Sequence, residues 1–391
     1  MTNLQAFNTA AKNWFCFPSL RQIPKAWREQ IFAHNDNPFT TEAFLLALEE
    51  SACIGGESGW KAQYFVLNDT TSTALFLCYE KSHSYGEYVF DWAWADAYHR
   101  NGIHYYPKLL ASVPFSPIPC SKWIGNSELS ELEAFKHIAA LVPEGKYTSL
   151  HYLYPKHPLK QMDNNFWIPR QGHQFHWFNQ DEHGKPFESF EQYLTLMTAR
   201  KRKNINKERQ KVQQSGVNCY WKGGEEVSAN ELHYFYHCYH LTYMKRGQSG
   251  YLNKRFFELL CENLKHQVQI LFCEKDEEII AAALYLKSDD TLYGRYWGCL
   301  EHAEFVHFEA CYYQGLEFAI TQGLSCFNPG TQGEHKIARG FRPTTTYSYH
   351  HLYLSPFHNA VQQFCVEETK HNRLYMAECE AKLPFKKENL D

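Results

Sequence analysis

Runs of apolar residues, broken by short polar segments, divide the chain into strands and helices. "AQYFVLN" (62–68), "TALFLCYE" (73–80) and "YGEYVFD" (85–91) are rich in aromatic and aliphatic residues and are separated by turn formers. That pattern predicts an antiparallel meander. Helical spacing over 92–113 follows, then a short extended run near 117–124. The order recurs downstream, where "VQILFC" (268–273), "IIAAALYL" (279–286) and "TLYGRYW" (291–297) are parted by the polar turns "EKDEE" and "KSDD". A helix over 308–322 then ends at Gly323, in the expected C′ position.

Between these two arrays the pattern turns helical. Ser189 is placed to cap "FEQYLTLM", and a long charged helix runs from Thr198 to Gly216. A further helical region, 231–265, is interrupted by "RGQSGYLN". Near the C-terminus, Ser355 as N-cap and Pro356 at N1 introduce a helix whose stripe is Phe357, Val361, Phe364 and Cys365, stopping before Pro384.

Short motifs repeat as well. "YGEY" (85–88) corresponds to "YGRY" (293–296), and "YYPKLL" (105–110) to "YYQGLE" (312–317), at nearly constant separation. Together with the shared element order they imply a duplicated domain. The polar, turn-rich stretch 172–186 marks the boundary. The expected domains are 1–180 and 181–391, the second carrying a basic helix at 199–215.

Composition narrows the function classes. A chain of 391 residues with 44% hydrophobic and 16% aromatic content supplies core for two domains. A net charge of −4 excludes wholesale coating of nucleic acid, so any basic site is local. Thirteen cysteines without a CxxC read as reduced thiols. No secretory signal and no apolar run of about 20 residues is visible, which places the expected protein in the cytoplasm without a membrane span.

Three clusters carry candidate chemistry. In "ARKRKNINKERQKV" (199–212), Lys203, Lys207 and Lys211 share one helical face, and Glu208 is the lone acid. Such a row can hold phosphates through charge-assisted hydrogen bonds, or meet an RNA backbone without reading its sequence. Its ordinary reading is a solvated charged face. In "EHAEFVHFEACYYQG" (301–315), His302, His307 and Glu309 are metal-ligand types. His307 and Glu309 lie about 200° apart on a helix and cannot share an ion. Glu309 reads instead as a helix-start or catalytic carboxylate, with Tyr313 as its cleft neighbour. In "NPGTQGEHKIARGF" (328–341), Glu334 and His335 are candidate proton acceptors. Lys336 and Arg339 are candidate holders of an anionic substrate, with Gly333 and Arg295 beside them in the substrate set. A surface loop with ordinary ion pairs is the alternative. No GxSxG, GxxxxGK[ST], HExxH or GxGxxG motif is present.

Taken together, "SYGEYVFDWAWADAYHRNGIHYYPKLLASVPFSPI", "RKRKNINKERQKV", "GYLNKRFFELL" and "HFEACYYQGLEFAITQGLSCFNPGTQGEHKIARGF" resemble the FemAB-like branch of the Gcn5-related N-acyltransferase superfamily. The resemblance covers roughly 60–354. It implies an α/β (α+β) fold of tandem acyl-CoA N-acyltransferase-like domains, each a mixed, mainly antiparallel sheet flanked by helices. It also implies transfer of an acyl or aminoacyl group to an amine. Lys336, Gly340 and Phe341 match positions that belong to the substrate groove in Fem-type relatives. The superfamily's usual pyrophosphate loop is replaced by "WGCLEHAEFVHFEACYY". The implied donors are therefore an aminoacyl-tRNA or acyl-carrier protein as well as acyl-CoA, with no tightly bound cofactor and no metal. The acceptor is a small-molecule amine. Two other readings stand beside this one: a non-catalytic module for an anionic ligand or RNA, and a metalloenzyme using His302, His307, His335 and His350/His351.

Overall fold

The computed structural model describes residues 5–9, 12–159, 163, 166–301, 303–331 and 333–386. In chain order the strands are β1 Gln5–Thr9, β2 Lys12–Phe17, β3 Trp60–Ala62, β4 Tyr64–Asn68, β5 Thr73–Phe76, β6 Tyr79–Lys81, β7 Lys108–Ala111 and β8 Trp123–Asn126. They continue as β9 Ser149–Leu153, β10 Ile168–Phe178, β11 Asn218–Gly223, β12 Val268–Lys275, β13 Glu278–Lys287, β14 Thr291–Cys299, β15 Cys326–Asn328 and β16 Arg342–Leu352. The chain forms two compact units. The first combines Met1–Gly172 with Thr345–Arg373, and the second combines His173–Thr344 with Leu374–Asp391.

The second unit is built on β11, β12, β13 and β14, each antiparallel to the next. β14 then pairs in parallel with β15, Thr291 opposite Cys326 and Tyr293 opposite Asn328. β15 in turn is antiparallel to β10. The inner strand β13 is buried along nearly its whole length, which explains its unbroken apolar sequence "IIAAALYL". The first unit repeats these steps. β2 is antiparallel to β4, the β3–β4 arm to the β5–β6 arm, and β6 to β7. β7 pairs in parallel with β9, and β9 is antiparallel to β16.

A parallel step cannot be closed by a hairpin and needs a crossover. The helix Glu131–Leu141 lies between β7 and β9, and the helical stretch from Val306 to Thr321 lies between β14 and β15. The capping box of Ser130 and Glu133 starts the first crossover helix, and a second box, Ser228 with Glu231, starts Ala229–Met244. Ser189 caps Phe190–Thr195 as the sequence implies.

Each unit has its own core. In the first, Phe76 stacks on Phe135 at 5.5 Å and Phe135 on Trp167 at 4.8 Å, among Trp14, Tyr152 and Leu150. In the second, Trp177, Tyr193, Tyr285, Tyr312, Tyr313, Phe327 and Phe341 are packed together.

The mixed, mainly antiparallel α/β architecture agrees with expectation, but several elements do not. The segment 85–91 is not a strand: its two carboxylates, Glu87 and Asp91, are buried on Lys108 rather than laddered to a neighbour. The helix after it is short, Trp92–Arg100, and residues 108–111 form β7. The motif repeats are coincidental. "YGEY" lies in that loop while "YGRY" lies within β14, and "YYPKLL" runs into a strand while "YYQGLE" is helical. The duplication is real in strand order, where β7 rather than 85–88 is the counterpart of β14. The C-terminal helix spans Ser355–Ala381, with Ser355 inside it rather than capping it.

Gly298 on β14 shows how tightly the helix Ala229–Met244 is seated, because a Cβ there would fall 1.9 Å from the carbonyl oxygen of Cys238. Gly298→Ala is expected to destabilise the protein by about 1–3 kcal/mol. The measurement is the urea midpoint at unchanged m-value.

Candidate functional site

The predicted residues of the second unit gather around the helical stretch after β14 and the segment after β15. The first turn, Val306–Phe308, passes into a π-helical turn, Glu309–Tyr313, before α-helix resumes at Gln314–Thr321. A π turn re-aims successive side chains, which accounts for neighbouring tyrosines both being buried. The segment Glu334–Arg339 is a short 3-10 helix bounded by Gly333 and Gly340. Both glycines have positive φ, +116° and +85°. A Cβ on Gly333 would overlap the His335 ring, and one on Gly340 the hydroxyl of Tyr193. These two positions therefore require glycine.

His335 is half-buried, and its Nε2 shares a hydrogen bond of 2.6 Å with the Tyr312 hydroxyl. Burial lowers its pKa, and the nearby Arg339 and Lys336 lower it further, so the ring is neutral at pH 7. Its neighbour Lys336 is 1% exposed and donates to the carbonyl of Gly330 at 2.7 Å. Burial pulls the Lys336 ammonium down to about 7, against the opposing influence of Cys311. Behind them, His176 on β10 is held by Gln174 at 3.0 Å and is driven to about 3, by burial and then by Lys336. His307, whose ring centre is 5.8 Å from that of His335, falls to about 4, chiefly through burial.

The guanidinium carbon of Arg339 lies over Phe308, 3.6 Å from the ring centre. Its Nη2 donates to Glu208 at 2.7 Å and its Nη1 to the His335 carbonyl at 2.8 Å. Tyr313 donates to the same Glu208 oxygen. Glu208, the lone acid in the basic run, is thus the anchor of Arg339. Glu309 is buried and accepts from Arg209 at 3.0 Å and from Gln314 at 2.8 Å, while Arg209 also grips Glu317 at 2.7 Å. Neither of these pairings has a signature in the sequence beyond the isolated acid among cations.

The remaining predicted residues are more dispersed. Glu334 is exposed and accepts from Tyr375 at 2.7 Å. Phe341 is fully buried against Tyr312 and Phe327. Arg295, on β14, lies 5.4 Å from the ring centre of Tyr296. On the helix Ala199–Gln214, Lys203 and Lys207 are exposed, while Lys211 pairs with Glu304 at 3.1 Å. His350 and His351 belong to the first unit, and His302 lies outside the described residues. Among the described residues no group of three or more His, Cys, Asp or Glu is arranged to hold a metal. No helix among them is long and apolar enough to cross a membrane.

A family model described as "Peptidogalycan biosysnthesis/recognition", FemAB-like, matches residues 19–387. The chain belongs to the FemAB-like family, and with it to enzymes of acyl and aminoacyl transfer in the general sense. No curated protein matches it. Among solved structures, L-PGS from Bacillus licheniformis is similar at a TM-score of 0.50 and 12% identity, covering 82% of this chain and 96% of that one. That likeness is one of fold. FemX is similar at a TM-score of 0.49 and 8% identity over 86% of this chain and 97% of its own. A conserved protein of unknown function from Bacteroides thetaiotaomicron VPI-5482 is similar at 0.48 and 13%, over 84% and 97%.

The buried Lys336 makes a pH signature. Its folded pKa of about 7 lies below its ordinary 10.5, so between these values the unfolded chain binds more protons. Stability contributed by this group therefore rises with pH across that window and is at its lowest below it. Lys336→Met is expected to flatten the rise in melting temperature between about pH 7 and 10. Melting curves of both proteins across that range are the check.

Proposed function

We propose that the chain moves an acyl or aminoacyl group from a phosphate-bearing activated donor, an aminoacyl-tRNA or a thioester, to a small-molecule amine. The observation that carries this reading is the adjacency, in one short helix, of two basic groups tuned toward neutrality, His335 and Lys336. The attacking nitrogen forms a bond to the donor carbonyl carbon and must lose a proton. Nε2 of the neutral imidazole is engaged with the Tyr312 hydroxyl; in the tautomer that donates Nε2–H to that oxygen, the Nδ1 lone pair is kept for the proton. The proton then passes to the leaving oxygen or sulfur as the ester or thioester bond breaks. Lys336 supplies a donor for the oxyanion formed in between. Positioning supplies much of the remaining rate, so few special side chains are needed.

In this reading Lys203 and Lys207 meet the donor's phosphates, while Glu309 and Tyr313 serve in the ion-pair network that seats the basic helix. The family's description, peptidoglycan biosynthesis or recognition, supports a peptidoglycan precursor as the source of that amine. The reaction belongs in the cytoplasm, where such donors are made.

His335→Gln is expected to lower kcat by about 10²–10⁴ with little change in KM, measured with an aminoacyl-tRNA or thioester donor and an amine acceptor. Turnover unchanged in this variant removes His335 from the chemistry. Lys203→Ala combined with Lys207→Ala is expected to raise the donor KM and to reduce the slope of log affinity against log salt by about 2. Donor binding titrated at several salt concentrations is the check.

A further inference from the structure

Side chains of a strand alternate between its two faces. On β11, Cys219 and Trp221 therefore share a face, and both pack on the core of the second unit. Their partners across the antiparallel pairing with β12 are Cys273 and Leu271, each 0% exposed. The register thus sets a half-buried thiol directly opposite a buried one, and their sulfurs are 3.5 Å apart. Trp221, next on that face, packs on the rings of Tyr285 at 4.9 Å and Phe318 at 4.6 Å, which holds the strand in this register.

Two thiols so placed lack only an oxidant. Opposed residues of an antiparallel pair have Cα atoms about 4.5–5.5 Å apart, inside the range of about 4.4–6.8 Å that a disulfide spans. Closing the sulfurs to about 2.05 Å therefore asks for side-chain rotation rather than backbone movement. The two sulfurs differ in access. Cys219 is half-buried on a strand that, among the described residues, is paired on one side only, whereas Cys273 lies wholly in the core. The contact with Cys219, and then burial, push the Cys273 thiol up, so it is not the first to react.

We propose that Cys219 and Cys273 form a reversible oxidation site, with hydrogen peroxide as the oxidant. Cys219 gives up its proton and its sulfur bonds to one peroxide oxygen, while the O–O bond breaks and the other oxygen leaves as water. The Cys273 sulfur then attacks the sulfenic acid so formed. The S–S bond forms, the S–O bond breaks, and the hydroxyl leaves as water with the Cys273 proton. Two thiols lose two electrons and one peroxide gains them. An external thiol reverses the step by exchange. The link closes a loop that holds the helices Ala229–Met244 and Lys254–Asn263. It also ties the edge strand, and with it the basic helix Ala199–Gln214 that precedes it in the chain, to β12. This oxidation is independent of the acyl-transfer chemistry.

The test is peptide mapping by mass spectrometry of the full chain after exposure to hydrogen peroxide, with free thiols blocked before digestion. A peptide pair linked through Cys219 and Cys273 is expected, about tenfold more abundant from the native chain than from chain oxidised in concentrated urea, and lost on treatment with dithiothreitol. Cys273→Ala is expected to strand Cys219 as a sulfenic acid, raising its labelling by dimedone about tenfold. If circular dichroism shows that this variant does not fold, the map of the unsubstituted chain decides alone. A link formed equally in urea overturns the site, as does Cys219 carried to sulfinic or sulfonic acid without a link. So do two intact thiols in a chain whose exposed Met244 has already been oxidised. Dimedone labelling of Cys219 unchanged in folded Cys273→Ala overturns Cys219 as the first sulfur to react.

Discussion

The parallel pairing of β14 with β15 is the constraint from which the second unit follows. Strands running the same way cannot be joined by a tight turn, so the chain must leave the sheet, build a helix over it and return. That excursion contains the π turn Glu309–Tyr313, and the return lays β15, Cys326–Asn328, alongside β14. Tyr312 from the excursion then meets His335 from the return. Residues far apart in sequence are joined because one strand step points the same way as its neighbour.

Ion pairs fix what the strand step sets out. The helix Ala199–Gln214 has a mean composition too polar to be held by apolar burial, with only Ile205 and Val212 buried. Arg209 replaces that missing core by reaching Glu309 and Glu317 together, and Glu208 by accepting from Arg339 and Tyr313. Breaking a buried pair leaves an uncompensated charge, which is far costlier than the pair is favourable. The network therefore works mainly as a registration device. It leaves one face of the helix, with Lys203 and Lys207, facing water.

The legibility of this protein in its sequence divides along physical lines. The strands β12 to β14 were readable because continuous apolar runs bounded by charged turns have few alternatives, and Ser189 because an N-cap is a local event. The loop 85–91 was misread because "YGEYVFD" has strand-like composition, while the force that shapes it is the distant Lys108. The same distance hid the pairing of Glu208 with Arg339 and the contact of Tyr312 with His335. The tandem architecture was inferred correctly from motif coincidences that turn out to be accidental. Its true trace is strand order, which survives when residue identity has drifted.

The first unit is closed by β16, whose residues Ser348–Leu352 pair with β9, and by the helix that begins at Ser355. Those residues are translated only after nearly the whole second unit. On the ribosome, the earlier half waits with β9 unpaired along one side while the later half emerges and folds. An open strand edge of that kind is a template for the wrong partner. Protection of that edge during synthesis is thus a requirement written into the threading of the chain, independent of any chemistry the finished molecule performs.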